Sequence, residues 1–299
     1  MKKEQTQVPG DEQNVYKKRS QLMGICRRFA KSRTAMVGLV MLIILVTLAV
    51  AAPLFIDYKG EVIKQNIRQR LQGPSFEHPF GTDQYGRDVL KRIIWGARIS
   101  LSCSLVVITI ATLLGALFGS ISAYFGGKVD QVIMRVMDIF YALPFNLMAI
   151  CVVASLGNSI VNLGLACVIG VVPGFTRIFR SAILPIRNQE YIEAARACNT
   201  SDFRIITKHI LPNALGPIIV QATLNLAVTI IAIAGLSYIG LGVEAPMPEW
   251  GTMLSDGREY MRTYPYLVIF PGLAIMVAAM SLNLIGDGLR DALDPKLKN

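Results

Sequence analysis

Apolar residues in this chain gather into long unbroken runs, and charges are confined to the segments between them. Residues 34–56 hold 23 uncharged positions. That is about 34 Å of helix against a bilayer core of about 30 Å, which predicts one crossing. Residues 99–127 predict a second. Residues 139–176 stay uncharged for 38 positions, too many for one helix. The polar stretch SLGNSIVNLG in their middle predicts a hairpin turn between two crossings. Residues 210–243 are 34 uncharged positions with Gly235, Gly240 and Gly242 clustered near the end. They predict one helix followed by a short buried or re-entrant piece. Residues 263–286 complete the count. The pattern is that of an all-α polytopic membrane protein with six transmembrane helices.

Composition agrees with the pattern. Of 299 residues, 53% are hydrophobic and 17% charged, whereas the surface of a soluble domain needs about a quarter charged residues. The first 33 residues are polar, with no early apolar stretch of the kind a cleaved signal peptide carries.

Charge then orients the spans, because Lys and Arg accumulate on the cytoplasmic side. Residues 1–33 hold nine bases against three acids, and residues 177–209 hold six against three. Residues 244–262 hold two bases against four acids, as expected outside. The long segment 57–98 dissents with eight bases against five acids, several of them close to the second run. The balance puts both termini in the cytoplasm. It also accounts for the net charge of +10 without nucleic acid, since no basic and aromatic groove pattern accompanies it. Of the five cysteines, Cys103, Cys151 and Cys167 lie in apolar runs and Cys26 and Cys198 in segments read as cytoplasmic. With no CxxC motif, neither a disulfide nor a metal site is expected.

One charged segment has helical spacing of its own: EYIEAARACNTSDFRIITKHILPN, residues 190–213. Glu193 and Arg196 fall on neighbouring helical faces, and alanines keep one side flat. CNTSD breaks this helix, since Asn199 tolerates a left-handed backbone and Thr200, Ser201 or Asp202 can cap a new one. Pro212 falls where the next membrane helix begins, a position that tolerates proline. The expectation is a helix-turn-helix finger, far longer than an ordinary helix connection.

This finger resembles the EAA loop of ABC-transporter permease subunits. That pattern is E-A-A, three residues, Gly, nine residues, then I-x-L-P. Glu193, Ala194 and Ala195 match, as do Leu211 and Pro212. Asn199 replaces the Gly and His209 the first apolar residue. Other stretches are similar to the dipeptide, oligopeptide and nickel importers, closest to their C-type permease: FGTDQYGRDVLKRIIWGARISL (80–101), VIMRVMDIFYALPFNLMAI (132–150), PEWGTMLSDGREYM (248–261) and FPGLAIMVAAMSLNLIGDGLRDALDP (270–295).

The resemblance implies the type I importer permease fold, MetI-like. Its parts are a cytoplasmic tail (1–33), a first transmembrane helix (34–56), an extracytoplasmic loop (57–98), a five-helix core (99–290) with its EAA loop at 177–210, and a second tail (291–299). It implies location in the bacterial cell membrane and the translocation path for di- or oligopeptides, with nickel, glutathione or opines as alternatives. It implies three kinds of company besides the lipid bilayer: a second permease of similar fold, two cytoplasmic ATPases that bind the ATP and Mg, and an extracytoplasmic binding protein. It assigns contact with the ATPase to Glu190, Glu193, Ala194, Ala195, Arg196, Asn199, Asp202, His209, Leu211 and Pro212. Glu193 would hold the finger helix in register through a charge contact or a cap.

Elsewhere, Arg135 and Asp138 are expected to pair at i,i+3 near a membrane interface. Asp83, Arg87 and Asp88 are expected to pair at the outer surface or to meet the binding protein. Gln221, Asn225 and Asn283 are expected to bond between helices, and Pro144 and Pro271 to kink theirs. Other classes fit poorly. An intramembrane hydrolase needs a nucleophile and base within the spans, yet the only histidines are His78 and His209. A self-sufficient secondary transporter uses buried ionisable groups and internal repeats, and GGKVD is no P-loop.

Overall fold

The computed structural model describes residues 21–293; residues 1–20 and 294–299 of the two expected tails lie outside the described residues. Within that range the chain is helices and turns, with one isolated bridge between Thr82 and Asp88. Five helices are long and apolar enough to cross a membrane, and a bent pair counted as one broken span makes six.

The tail expected before the first crossing is helical from its twenty-first residue. α1 (Gln21–Lys31) is amphipathic and packs on the last helix of the chain. α2 (Arg33–Phe55) follows at once, its first turn capped by Ser32, whose hydroxyl accepts from the Ala35 N–H.

The second crossing starts ten residues earlier than the apolar run. α3 (Val89–Phe125) is 37 residues long, about 55 Å. Charges made its first turns look like loop, but each finds a partner. Lys91 pairs with Glu61 at 2.6 Å, Arg92 donates to the carbonyls of Val62 and Pro246 at 3.2 Å, and Arg98 donates to that of Ala49 at 3.3 Å.

α4 (Gly127–Ala142) and α5 (Phe145–Leu156) meet at a bend of 86°. Pro144 lacks an N–H and holds Leu143 extended, so the expected kink is a full break. With 12 residues, about 18 Å, α5 cannot cross alone. After the expected turn, α6 (Ile160–Ile183) packs along the later part of α3. Gly115 and Gly119 bring the two backbones together. A Cβ on Gly115 would sit 2.5 Å from that of Phe175, and one on Gly119 would sit 2.6 Å from that of Phe179. Between lipid-embedded helices such close approach gives van der Waals contact that hydrocarbon cannot match.

α7 (Glu190–Ala197) is short. α8 (Asp202–Arg204), a wide π turn (Ile205–Ile210) and α9 (Leu211–Leu236) run on as one helix. The wide turn sits where Pro212 would otherwise clash with the carbonyl four residues back. The short piece expected at the end of residues 210–243 is a second wide turn (Ser237–Leu241) that breaks at Gly240, φ 92°; α10 (Trp250–Gly257) follows in the segment read as an outer loop. α11 (Tyr266–Leu293) closes the bundle between α2 and α9. Of the helical amides, Asn225 donates to the carbonyl of Gln221 on its own helix at 2.8 Å, so it does not bond across helices as expected.

Candidate functional site

The finger grows from α7. Ile192 is fully buried among Ile205 and Ile210, and Ala195 is half-buried beside it. One face of α7 therefore belongs to the core. The helix ends in a Schellman turn. Asn199 is left-handed at φ 55°, its N–H donates to the Arg196 carbonyl, and the Thr200 N–H reaches back to that of Ala195. Asn is the residue after Gly that best accepts this conformation.

The return limb begins at Asp202. Its carboxylate accepts from the Tyr124 hydroxyl at 2.5 Å instead of capping its own helix. Arg196 lies over the ring of the same tyrosine, 4.9 Å from its centroid. Tyr124, at the last turn of α3, thus holds both limbs of the finger. Nothing local in the sequence marks it, because its partners lie more than 70 residues on. Around it, Arg187 donates to the Ala123 carbonyl, and Arg180 grips Asp130 through two bonds of 2.7 Å.

The rest of the finger faces outward. Glu190, Glu193, Ala194, Arg196 and Pro212 are exposed. Among the described residues Glu193 makes no ion pair or side-chain bond; it sits in the first turn of α7, where the helix dipole favours a carboxylate. The cap or charge contact expected of it is not formed among the described residues. Two aromatics join this surface, Tyr191 and Phe203, the latter 77% exposed. Leu211 is half-buried against the core, and His209 is half-buried with its carbonyl accepting from Asn213 at 2.6 Å.

At the other end of α3 the arrangement is reversed. Asp83, Arg87 and Asp88 are all buried. Asp83 accepts from the Arg87 guanidinium at 2.6 Å and from the backbone N–H groups of Tyr85 and Arg87 at 2.9 Å. Asp88 caps α3, accepting from the Lys91 N–H at 2.9 Å, and bonds His78 Nδ1 at 2.9 Å. Asp256 lies 3.7 Å from Arg87; burial pushes its carboxyl above the usual range, while Arg87 and Arg92 pull it back. Glu249, buried with no basic partner among the described residues, caps α10 by accepting from Gly251 and Thr252 N–H at 2.9 Å and from Ser100 at 3.2 Å. Gly86 at φ 72° closes this knot, for a Cβ there would fall 1.8 Å from the Asn66 carbonyl.

The expected Arg135–Asp138 pair is not formed. Asp138 instead pairs with Arg177 of α6 at 2.7 Å, and Arg177 also stacks on Tyr141, 4.2 Å from its centroid. Packing of α4 on α6 brings that guanidinium closer than the neighbour one turn back. Arg135 is left exposed, with no ion pair among the described residues.

Comparison with known proteins follows this geometry. The profile described as binding-protein-dependent transport system inner membrane component matches residues 111–299, and that of the N-terminal TM domain of oligopeptide transport permease C matches residues 20–74. The dipeptide transport system permease protein DppC of Alkalihalophilus pseudofirmus is 46% identical over 91% of this chain and 89% of its own length. The glutathione transport system permease protein GsiD of Pectobacterium atrosepticum is 38% identical over 91% and 90%. Among solved structures, the inward-facing MetNI methionine ABC transporter superposes with a TM-score of 0.56 at 19% identity, over 69% of this chain and 97% of that one, a likeness of fold.

Proposed function

This chain belongs to the family of binding-protein-dependent transport system inner membrane components, and from that premise we propose that it forms the path for peptides in an ATP-driven importer. As a member it is an inner-membrane transport permease, not an enzyme. Peptides are favoured because the dipeptide permease is 46% identical and the glutathione permease 38%. In this reading an extracytoplasmic binding protein delivers the peptide, a second permease completes the path, and two ATPases bind the ATP and Mg. Both termini and the finger lie in the cytoplasm, in keeping with the bases of residues 1–33 and 177–209. Segment 57–98 and α10 then form the outer cap.

One observation carries the coupling role: the finger is rigidly fastened on one side and bare on the other. Tyr124, Ile192 and the turn at Asn199 fix its shape, while Glu190, Glu193, Tyr191 and Phe203 stay exposed. An acidic and aromatic knob of this kind suits a cleft in an ATPase. Closure of the ATPases would pull the finger, and the finger would move α3 and α6 between inward- and outward-facing arrangements.

Glu193→Lys is expected to leave stability within about 0.5 kcal/mol of the parent while abolishing co-purification with the ATPase. Intact co-purification and transport in that variant would overturn the coupling role. Substrate is read separately, by uptake of a labelled dipeptide in cells with and without this chain; loss of glutathione uptake alone would overturn the peptide assignment.

A further inference from the structure

α4 has two faces. Val129, Val132, Ile133, Val136, Met137 and Phe140 recur at helical spacing along one, while Lys128, Gln131, Arg135 and Asp138 line the other. α4 starts just past the finger end of α3 and descends beside α3 and α6 as the first half of the broken span, with Asp130 at Arg180 and Asp138 at Arg177. Between α4 and the α3–α6 pair is an apolar cleft of about 390 Å³ lined by hydrocarbon side chains such as Leu114, Phe118 and Phe140. Beside that cleft is an open polar one of about 660 Å³ that includes Arg135 and the Asp130–Arg180 pair. Val132 and Val136 line both, so the two adjoin.

Charge decides what fits. Asp130 is taken by Arg180 and Asp138 by Arg177. Of the cations lining the cleft, Arg135 has no ion pair among the described residues, and it lies beside Val132, which is 64% exposed. An apolar slot opening onto one unpaired guanidinium matches an amphiphile with a hydrocarbon tail and a single negative head. We propose that α4 and its cleft hold one anionic phospholipid, an acyl chain under Val132 and Val136 and the phosphate on Arg135. The first turns of α4 carry Lys128 and Arg135 at the finger end of the span, and anionic lipid is drawn to cations near the membrane surface. The proposal goes beyond the coupling role and does not depend on it.

The test is native mass spectrometry of the full-length protein purified in detergent, titrated with dioleoyl phosphatidylglycerol or dioleoyl phosphatidylcholine. The parent is expected to retain one phosphatidylglycerol about fivefold more strongly than phosphatidylcholine, the scale of one cation at an anionic surface. Arg135→Ala should bring the two lipids level, and Arg135→Lys should restore the preference. Val132→Trp, which fills the slot, should reduce retention of both. Equal retention by the parent, or an unchanged preference in Arg135→Ala, would overturn the site. So would efficient cross-linking of Val136→Cys to a second permease in native membranes, which would make the cleft a subunit interface.

Discussion

α3 carries opposite electrostatic arrangements at its two ends. At its start, Asp83, Arg87 and Arg92 are withdrawn from solvent and pair with one another, buried Asp88 is held by His78 and the Lys91 N–H, and Glu249 by backbone N–H groups. Beyond its other end, Glu190 and Glu193 stand in solvent without partners among the described residues, next to a bare Phe203. Buried charges that are mutually paired hold a shape, and removing one partner strands the other. Exposed charges contribute little to folding and are free to meet another protein. Both sets are dense in ionisable residues, and burial alone separates the paired set from the bare one.

That contrast can be broken at several depths. Arg87→Ala leaves the Asp83 carboxylate in the interior without its closest cation. It should lower stability by about 3–5 kcal/mol, read as a large fall in thermal midpoint in detergent. Tyr124→Phe removes the bond to Asp202, a hydrogen bond to a charged group, at a cost of about 1.5–3 kcal/mol. Its effect should concentrate in the finger, as faster amide exchange across residues 190–210 with the cap end unchanged. Asn199→Val forces a β-branched residue into the left-handed region and should cost about 1–2 kcal/mol, whereas Asn199→Gly should be tolerated; protease sensitivity of the finger separates the two.

The smallest effect belongs to Glu61. Its bond to Lys91 holds its carboxyl below the usual range of 4.5. The stabilisation is therefore fully present above the unfolded value and lost as pH falls through the lowered folded one. As an exposed pair it contributes less than about 1 kcal/mol. Unfolding from pH 6 down to about pH 3 should show a slightly shallower loss in Glu61→Gln than in the parent.

Much of this was legible in the chain. Long uncharged runs gave the crossings because lipid demands them, and CNTSD gave the turn because few residues accept a positive φ. Contacts over long sequence separations were not legible. The start of α3 was obscured by Lys91, Arg92 and Arg98, whose charges are answered by residues as remote as Glu61 and Pro246. Asp138 was matched to its neighbour in sequence, whereas its partner is 39 residues away. Tyr124 carried no local mark, for its role exists only once Arg196 and Asp202 fold back on it. Pro144 was read as a bend within a helix, and it separates two.

The contact at Gly115 and Gly119 has a mechanical consequence. Backbones that touch without intervening side chains leave no slack, so α3 and α6 behave as a single stiff beam. The finger hangs from one member of that beam through the chain after Ile183 and from the other through Tyr124. A pull on it therefore exerts torque on both. α3 is about 55 Å long, so each degree of tilt at the finger would sweep its Asp88 end through about 1 Å. The buried ion pairs there would be the load at the far end of a lever, knotted tightly enough to move as one piece.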